Sequence, residues 1–562
     1  MQPTTQSEGE GRFAASAPAS TMPKQTAYVR MFSRQSSLLG DSCNVTKSRN
    51  QVLPGRPWSW SQRPAAPHTA TAVIIVMIPA RNDLTMSSSE SVIFPSPEFL
   101  ASHLSAIAAA TTAPKLIAAL GACSPEPSWF LGPEGTGASL SAALDGLADC
   151  SPQLSRAPFF APGGLLSSIC ARASRLHAAF PGGLSLLDAA PGEVVLPRAE
   201  AATLVACMFL CVLPLQDRAG IDMNSSHFSI VMGLDAAAHP QAAAKLRCVL
   251  HYFARQREAE NGTAATPPGA LRFRRVVAAF GAGEAPGVFF ARCRAPLKPP
   301  RCELSALIDD FAGAAVQADF ANKYIGGGAL RGGAVQEEIM FAVAPELFVS
   351  MLIAPALRDE EALLMLGAER FSRCTGYSRT LHFAGDFAEV APRSPIGEPA
   401  TAIAAIDATC FFGDARALRP QLQAASLLRE LTKAFAGFSA PAPELGAAAA
   451  TVATGHWGCG AFGGHKGVKA LVQWAAASAA GSQLIYCFFN EAPHFSALEA
   501  AAAAVAAAAP LEVTVGHLFR ALLAYRGDGE DIVQVVAAAA VAMAAEEEAV
   551  AVSGEGAGVS LA

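Results

Sequence analysis

Two adjacent carboxylates, Glu337 and Glu338, follow directly on a loop that runs Asp319-Phe-Ala-Asn322-Lys-Tyr-Ile-Gly326-Gly327-Gly328-Ala-Leu-Arg-Gly332-Gly333-Ala-Val-Gln336. Five glycines fall within eight residues of it. Glycine opens backbone geometries closed to other residues and lets N–H groups wrap an anion. An anion cradle beside paired carboxyl groups suits a sugar-phosphate substrate and acid catalysis at a glycosidic carbon. The same residues also read as an ordinary glycine-rich loop followed by two solvated glutamates. No Gly-Lys-Ser/Thr follows, so the loop is not a Walker loop. No strand pattern precedes it and no acid stands about twenty residues on, as a dinucleotide fingerprint requires.

The elements around this stretch change character along the chain. Residues 1–92 are rich in Ser, Thr, Pro, Gln and Arg without an apolar period, and we expect a disordered leader. Its excess of basic over acidic residues fits an organellar transit peptide, a nuclear-type basic tail or an unstructured leader. From 93 to 265 apolar spacings of three and four predict helices over Pro95–Ala113, Leu140–Leu147, Leu165–Phe180, Leu196–Leu215 and Ala242–Glu258. Between 266 and 530 strands and helices alternate, which predicts an α/β layered domain with a mixed sheet. Beyond Leu271-Arg-Phe-Arg-Arg-Val-Val, the expected strands are Gly287–Ala291, Ile339–Ala344, Ala362–Leu366, Thr401–Ala408 and Leu484–Phe489. Expected helices are Pro345–Ile353, Ser426–Ala436 and Lys469–Ala479. Residues 531–562 are dominated by Ala and Glu and predict a frayed tail.

Composition excludes several classes. At 562 residues the chain is longer than a usual single domain. Its net charge of −6 gives no reason to expect direct DNA binding, so a polyanionic ligand would have to be held by local features. The thirteen cysteines form no Cys-x-x-Cys pair, and no His-Glu-x-x-His occurs; we expect reduced thiols, an intracellular protein and no metal site. No stretch reaches the length of a membrane span. The sequons at Asn44, Asn224 and Asn261 carry little meaning with no visible secretory signal.

Gly-Gly-Gly, a short spacer and Gln-Glu-Glu resemble the signature of the poly(ADP-ribose) glycohydrolases. The flanking words match as well, with Asp-Phe-Ala-Asn-Lys-Tyr before and Ile-x-Phe-x-x-x-Pro-Glu-Leu after. The resemblance continues in order through Thr375-Gly376-Tyr377, Ile406-Asp407-Ala408, Arg429-Glu430-Leu431-x-Lys433-Ala434 and Ala453-Thr-Gly-His456-Trp-Gly458-Cys-Gly460-Ala461-Phe462-Gly463-Gly464. It implies an all-helical accessory domain packed on a macrodomain-like mixed sheet flanked by helices. The implied activity is metal-independent release of ADP-ribose from poly(ADP-ribose) on modified proteins, by a monomer in the nucleus or cytoplasm, with no cofactor and no membrane. A non-catalytic reader of ADP-ribose ends is the alternative.

The resemblance assigns roles residue by residue. Glu338 is the acid/base, Glu337 binds ribose hydroxyls, and Asp319 holds either the loop or the terminal ribose unless it merely caps a turn. Asn322 and Gln336 offer amides to sugar or loop, and Gly326, Gly327 and Gly328 close over ribose and phosphate. Gly458, Gly460, Ala461, Phe462 and Gly463 belong to a second loop for the pyrophosphate. Ile308 and Asp309 meet the adenine, Tyr377 touches ligand, and Phe489 is either a ligand contact or plain core. Two positions depart from the pattern. His456 stands where Asn is usual, and His465 where Asp is common; each imidazole is expected to donate to a phosphate, more strongly when protonated.

Overall fold

The structure is a computed structural model. It describes residues 91–553, apart from 124–136, 148–154, 189–190, 215–222, 263–268, 282, 389–399, 441–445 and 447–448. The expected leader up to residue 90 and the last nine positions of the tail lie outside the described residues.

The sequence signal that organises the molecule is Glu361–Leu366, six residues buried without exception. This strand, β5, sits inside an eight-stranded mixed sheet with the order β1-β2-β5-β8-β4-β9-β10-β3. The others are β1 Gly192–Pro197, β2 Ala270–Val277, β3 Arg301–Glu303, β4 Val316–Asp319, β8 Ala402–Ala405, β9 Thr451–Thr454 and β10 Gln483–Cys487. A separate antiparallel pair is formed by β6 Ser372–Thr375 and β7 His382–Asp386. Successive side chains of a strand face opposite ways, and here they feed two cores. Leu363 and Met365 enter one, with Ile403 and Ala405 of β8, while Ala362, Leu364 and Leu366 enter the other, with Ala402 and Ala404. Both faces are therefore covered, and each fully buried leucine contributes about 1.5–3 kcal/mol.

The principal helices are α1 Pro97–Ala108, α2 Leu165–Ala173, α3 Arg198–Phe209, α4 Pro240–Glu260, α5 Gln336–Val343, α6 Ala424–Phe438, α7 Lys466–Ala479, α8 Ala492–Ala507, α9 Val515–Ala524 and α10 Ile532–Ser553. Helices α1 to α4 pack on the first face of the sheet, in one continuous core with β5 and β8. Helices α6 to α10 cover the second. No helix of the described residues is long and apolar enough to cross a membrane.

Four expectations need correction. The region before 265 is not all-helical, because Gly192–Pro197 forms β1 and pairs antiparallel with β2. Gly287–Ala291 is helical: Pro286 at its first turn pre-sets a helical φ, and the helix Pro286–Arg292 buries Phe290. Ile339–Ala344 belongs to α5, whose far side is as buried as its near side, so no helical period shows in the sequence. The Ala/Glu-rich segment is a packed helix as far as Ser553, since Ile532, Val533, Val536, Ala537, Ala540 and Ala544 lie buried at spacings of one, three and four.

Strands β8, β4, β9, β10 and β3 run parallel. Their C-terminal ends therefore share one edge, where loops of an open α/β sheet commonly bind ligands. The glycine loop leaves β4 at that edge, and the second loop leaves the adjacent β9.

Candidate active site

Helix α5 begins where the glycine loop ends, and its first turn carries both carboxylates inward. Glu337 and Glu338 are buried, at 3% and 7% exposure. A helix start leaves orphan N–H groups that attract carboxylates. Glu338 Oε2 accepts the Val335 N–H at 2.8 Å, and its Oε1 accepts the Gly328 N–H at 2.9 Å. Glu337 Oε1 accepts from Gly326 at 2.6 Å and Oε2 from Asn322 at 3.0 Å. The loop thus turns its N–H groups toward the acid pair. The solvated reading of these two glutamates is wrong.

Gly327 and Gly333 have to be glycine for reasons of space. A Cβ on Gly333 would stand 2.7 Å from Glu338 Oε1, and Gly327 adopts φ +47° against both carboxylates. Gly326 and Gly328 lie in the same turn.

Asp319, at the end of β4, is completely buried, and among the described residues neither carboxyl oxygen has a hydrogen-bond partner. It does not cap a turn. Burial, with the Glu338 carboxylate beside it, holds Asp319 well above the ordinary carboxyl range. Burial and then the Asp319 and Glu338 charges raise Glu337 likewise, against the pull of its two backbone N–H partners. Buried side by side, Asp319 and Glu337 resist ionising together, and the proton belongs to the pair rather than to one residue.

Of the two roles expected for Gln336 and Asn322, sugar or loop, the hydrogen bonds seen are to the backbone of the loop and the strand before it. Gln336 donates to the Ala318 carbonyl at 3.1 Å and accepts from Phe320 N at 2.8 Å, so both ends of its amide bracket Asp319. Asn322 Oδ1 accepts the Tyr324 N–H at 3.0 Å and stabilises the entry to the loop.

Across the edge, Gly458 and Gly463 take φ near +70° and tighten the second loop. Phe411 N donates to the Phe462 carbonyl at 2.7 Å, and Trp457 anchors the turn by donating to the Ile406 carbonyl at 2.9 Å. Among the described residues, the N–H groups of Gly460, Ala461 and Phe462 have no acceptor, and Gly460 and Ala461 are exposed. Three free backbone donors on a tight turn are the kind of group that binds an anion.

Tyr377 is 55% exposed, and its hydroxyl faces the Gln336 backbone and the Glu338 charge. Its neighbour Ser378 donates to the Ala334 carbonyl at 2.8 Å, which ties this turn to the glycine loop. Phe489 is not plain core: it is 37% exposed, has φ +52°, and lies against Gly455 at the end of β9. A bulky residue held at positive φ marks a strained position. Ile308 is buried beneath the edge, and Asp309 pairs with Arg370 at 3.2 Å.

The two histidine departures resolve differently. Burial pushes His456 down to about 4, against the attraction of Glu491, so it is neutral near pH 7 and does not add the cationic grip expected of it. His465 is the N-cap of α7, its Nδ1 accepting the Val468 N–H at 3.4 Å, the service an aspartate would give there.

Other matching words build the frame. Burial pushes Asp407 up, but the Lys433 and Arg429 cations outweigh it and hold the carboxyl below its usual range. Glu430 accepts the Thr409 N–H at 2.9 Å and pairs with Lys469, whose Nζ stands 3.7 Å from the centre of the Trp457 ring. Sequence reasoning passes over Arg370 and Lys245. An isolated basic residue carries no motif, and only the fold brings these two to the site. Among the described residues, no group of three or more His, Cys, Asp or Glu could hold a metal ion.

Residues 154–275 match the helical domain of poly(ADP-ribose) glycohydrolase, and residues 289–495 match the family described as "Poly (ADP-ribose) glycohydrolase (PARG), Macro domain fold". Poly(ADP-ribose) glycohydrolase 1 of Arabidopsis thaliana is 31% identical over 366 residues, covering 53% of this chain and 63% of that protein. Poly(ADP-ribose) glycohydrolases 1 and 2 of Caenorhabditis elegans are 39% and 40% identical over 196 and 186 residues, which are 24% and 37% of their lengths. The chain spans less than two thirds of each of these relatives.

Proposed function

The chain belongs to the poly(ADP-ribose) glycohydrolase family, and from that membership we propose that it hydrolyses the ribose–ribose O-glycosidic bonds of poly(ADP-ribose) to release ADP-ribose. The observation that carries this reading is Glu338. It is held at a helix start by two backbone N–H groups, shares a buried pocket with Asp319 and Glu337, and lies on the strand edge that also bears the free donors of Gly460, Ala461 and Phe462.

In this account the second loop and the glycine loop hold the phosphates and the terminal ribose. Glu338 acts as the general acid, giving a proton to the leaving ribose oxygen as the bond to the anomeric carbon breaks. Water then attacks that carbon and returns a proton to the Glu338 carboxylate. Glu337 fixes the loop through Gly326 and Asn322, and Asp319 keeps a shared proton in the pocket. Tyr377 and Phe489 offer exposed rings for adenine or ribose. The protein works without a metal ion or cofactor in this proposal, and its partner is polymer carried on modified proteins.

The test is release of free ADP-ribose from automodified polymer by the purified protein, with and without EDTA. Release that survives EDTA and disappears in Glu338→Gln supports the proposal. Binding of polymer without release by the unaltered protein would leave the reader in its place, and loss of release on chelation would overturn metal independence.

A further inference from the structure

We infer that Lys245, on the helical side of the molecule, is a positioning residue for Glu338, acting through the carbonyls of the glycine loop. The inference rests on the proposed function for its kinetic consequences, but its structural part stands independently.

Lys245 lies on α4 and is 2% exposed. Its Nζ lies 3.2 Å from the Gly328 carbonyl, 2.7 Å from those of Ala329 and Arg331, and 2.5 Å from that of Gly333. An ammonium has three donors and no acceptor. Four converging carbonyls satisfy it, whereas a neutral amine would turn its lone pair on one of them. Burial pushes Lys245 down to about 7, while the Glu338 carboxylate favours the charged form.

Two further side chains from the same region complete the grip. Gln241 Nε2 donates to the Gly332 carbonyl at 3.0 Å. Asn224 Nδ2 donates to the carbonyls of Ile325 and Gly327 at 3.0 and 2.9 Å. A glycine-rich segment is the costliest kind to order, since glycine loses the most conformational freedom on folding. Here its carbonyls are drawn to one side by these three residues. The N–H groups of Gly326, Gly328 and Val335 are then left for Glu337 and Glu338 on the other. The helical region therefore supplies the frame that aims the acid.

The experiment compares Lys245→Met, which keeps the stem and removes every donor, with Lys245→Gln, which keeps two. Hydrogen exchange of residues 324–335 in the full chain is read beside kcat and KM for polymer. We expect the Met variant to exchange about tenfold or more faster in that segment alone. Its kcat should fall about 100-fold, as for a displaced catalytic group, with KM nearly unchanged. The Gln variant should fall between it and the unaltered protein in both. Unchanged exchange in the Met variant, with or without a loss of kcat, would overturn the inference. If that variant does not fold, Lys245→Gln and Gln241→Ala decide: faster exchange confined to 324–335 supports the inference, and unchanged exchange refutes it. Absence of turnover in the unaltered protein would count against the proposed function alone, because the exchange comparison does not depend on it.

Discussion

Gly327 and Glu337 approach more closely than any side chain at position 327 would allow: a Cβ there would stand 2.5 Å from Glu337 Oε2, and 2.9 Å from Glu338 Oε1. Gly327→Ala therefore meets two penalties, a left-handed backbone costing about 1–2 kcal/mol and displacement of the acid pair. A shift of the acid by about 1 Å is enough to lower turnover about 100-fold. Denaturant unfolding and steady-state kinetics measure the two effects separately. Unchanged kcat would mean that the carboxylates tolerate displacement and the loop does not aim them.

Asp319 makes a prediction about pH. Its folded value lies well above the ordinary 3.8, so the folded protein binds more protons than the unfolded chain as pH rises past that point. Stability from this group is complete below about pH 4 and is lost as pH climbs through the raised value. Asp319→Asn removes the ionisation, so its Tm should gain on that of the unaltered protein as pH rises from 4 to 8, while ADP-ribose release falls. Parallel Tm curves for the two proteins would show that Asp319 does not store a proton.

The buried ionic group under the second loop should matter to stability first. Asp407→Asn leaves Lys433, fully buried and 2.7 Å from the lost charge, with a weakened partner. Breaking a buried pair costs about 3–5 kcal/mol. Urea midpoints measure this, and a change below about 1 kcal/mol would place these charges in contact with water instead.

His465 and His456 should separate cleanly. His465→Ala removes the cap of α7 and costs about 0.5–2 kcal/mol, whereas His465→Asp restores it. His456→Asn should change kcat by less than about threefold at pH 7, because the imidazole is already neutral there. A large gain in kcat would show that the histidine impairs the phosphate loop.

How much of this was legible from residues alone depends on whether the signal was local. The glycine loop, the Glu337–Glu338 pair and the second loop announce themselves by residue type and spacing. Strand β5 is legible too, as a short apolar run. Strands β4, β8 and β9 are four-residue segments buried on both faces, and the alanines of β8 show no alternation. The far ends of side chains are harder still. Gln336 and Asn322 have the chemistry for sugar or loop, and only the fold shows Gln336 bonded to Ala318 and Phe320 and the Asn322 Oδ1 to Tyr324. Lys245 is nearly a hundred positions from Glu338, and nothing near it in the chain marks it; α4 packing against α5 is what brings the two together.

The measurement that bears most directly on the central claim pairs binding with turnover in Glu338→Gln. Calorimetric titration with ADP-ribose and release of ADP-ribose from polymer would be taken on the same preparation. The account predicts binding close to that of the unaltered protein and release lower by about 1000-fold, within the range of a lost general acid. Release within about tenfold of the unaltered protein, with binding intact, would show that Glu338 holds the loop but does not deliver the proton.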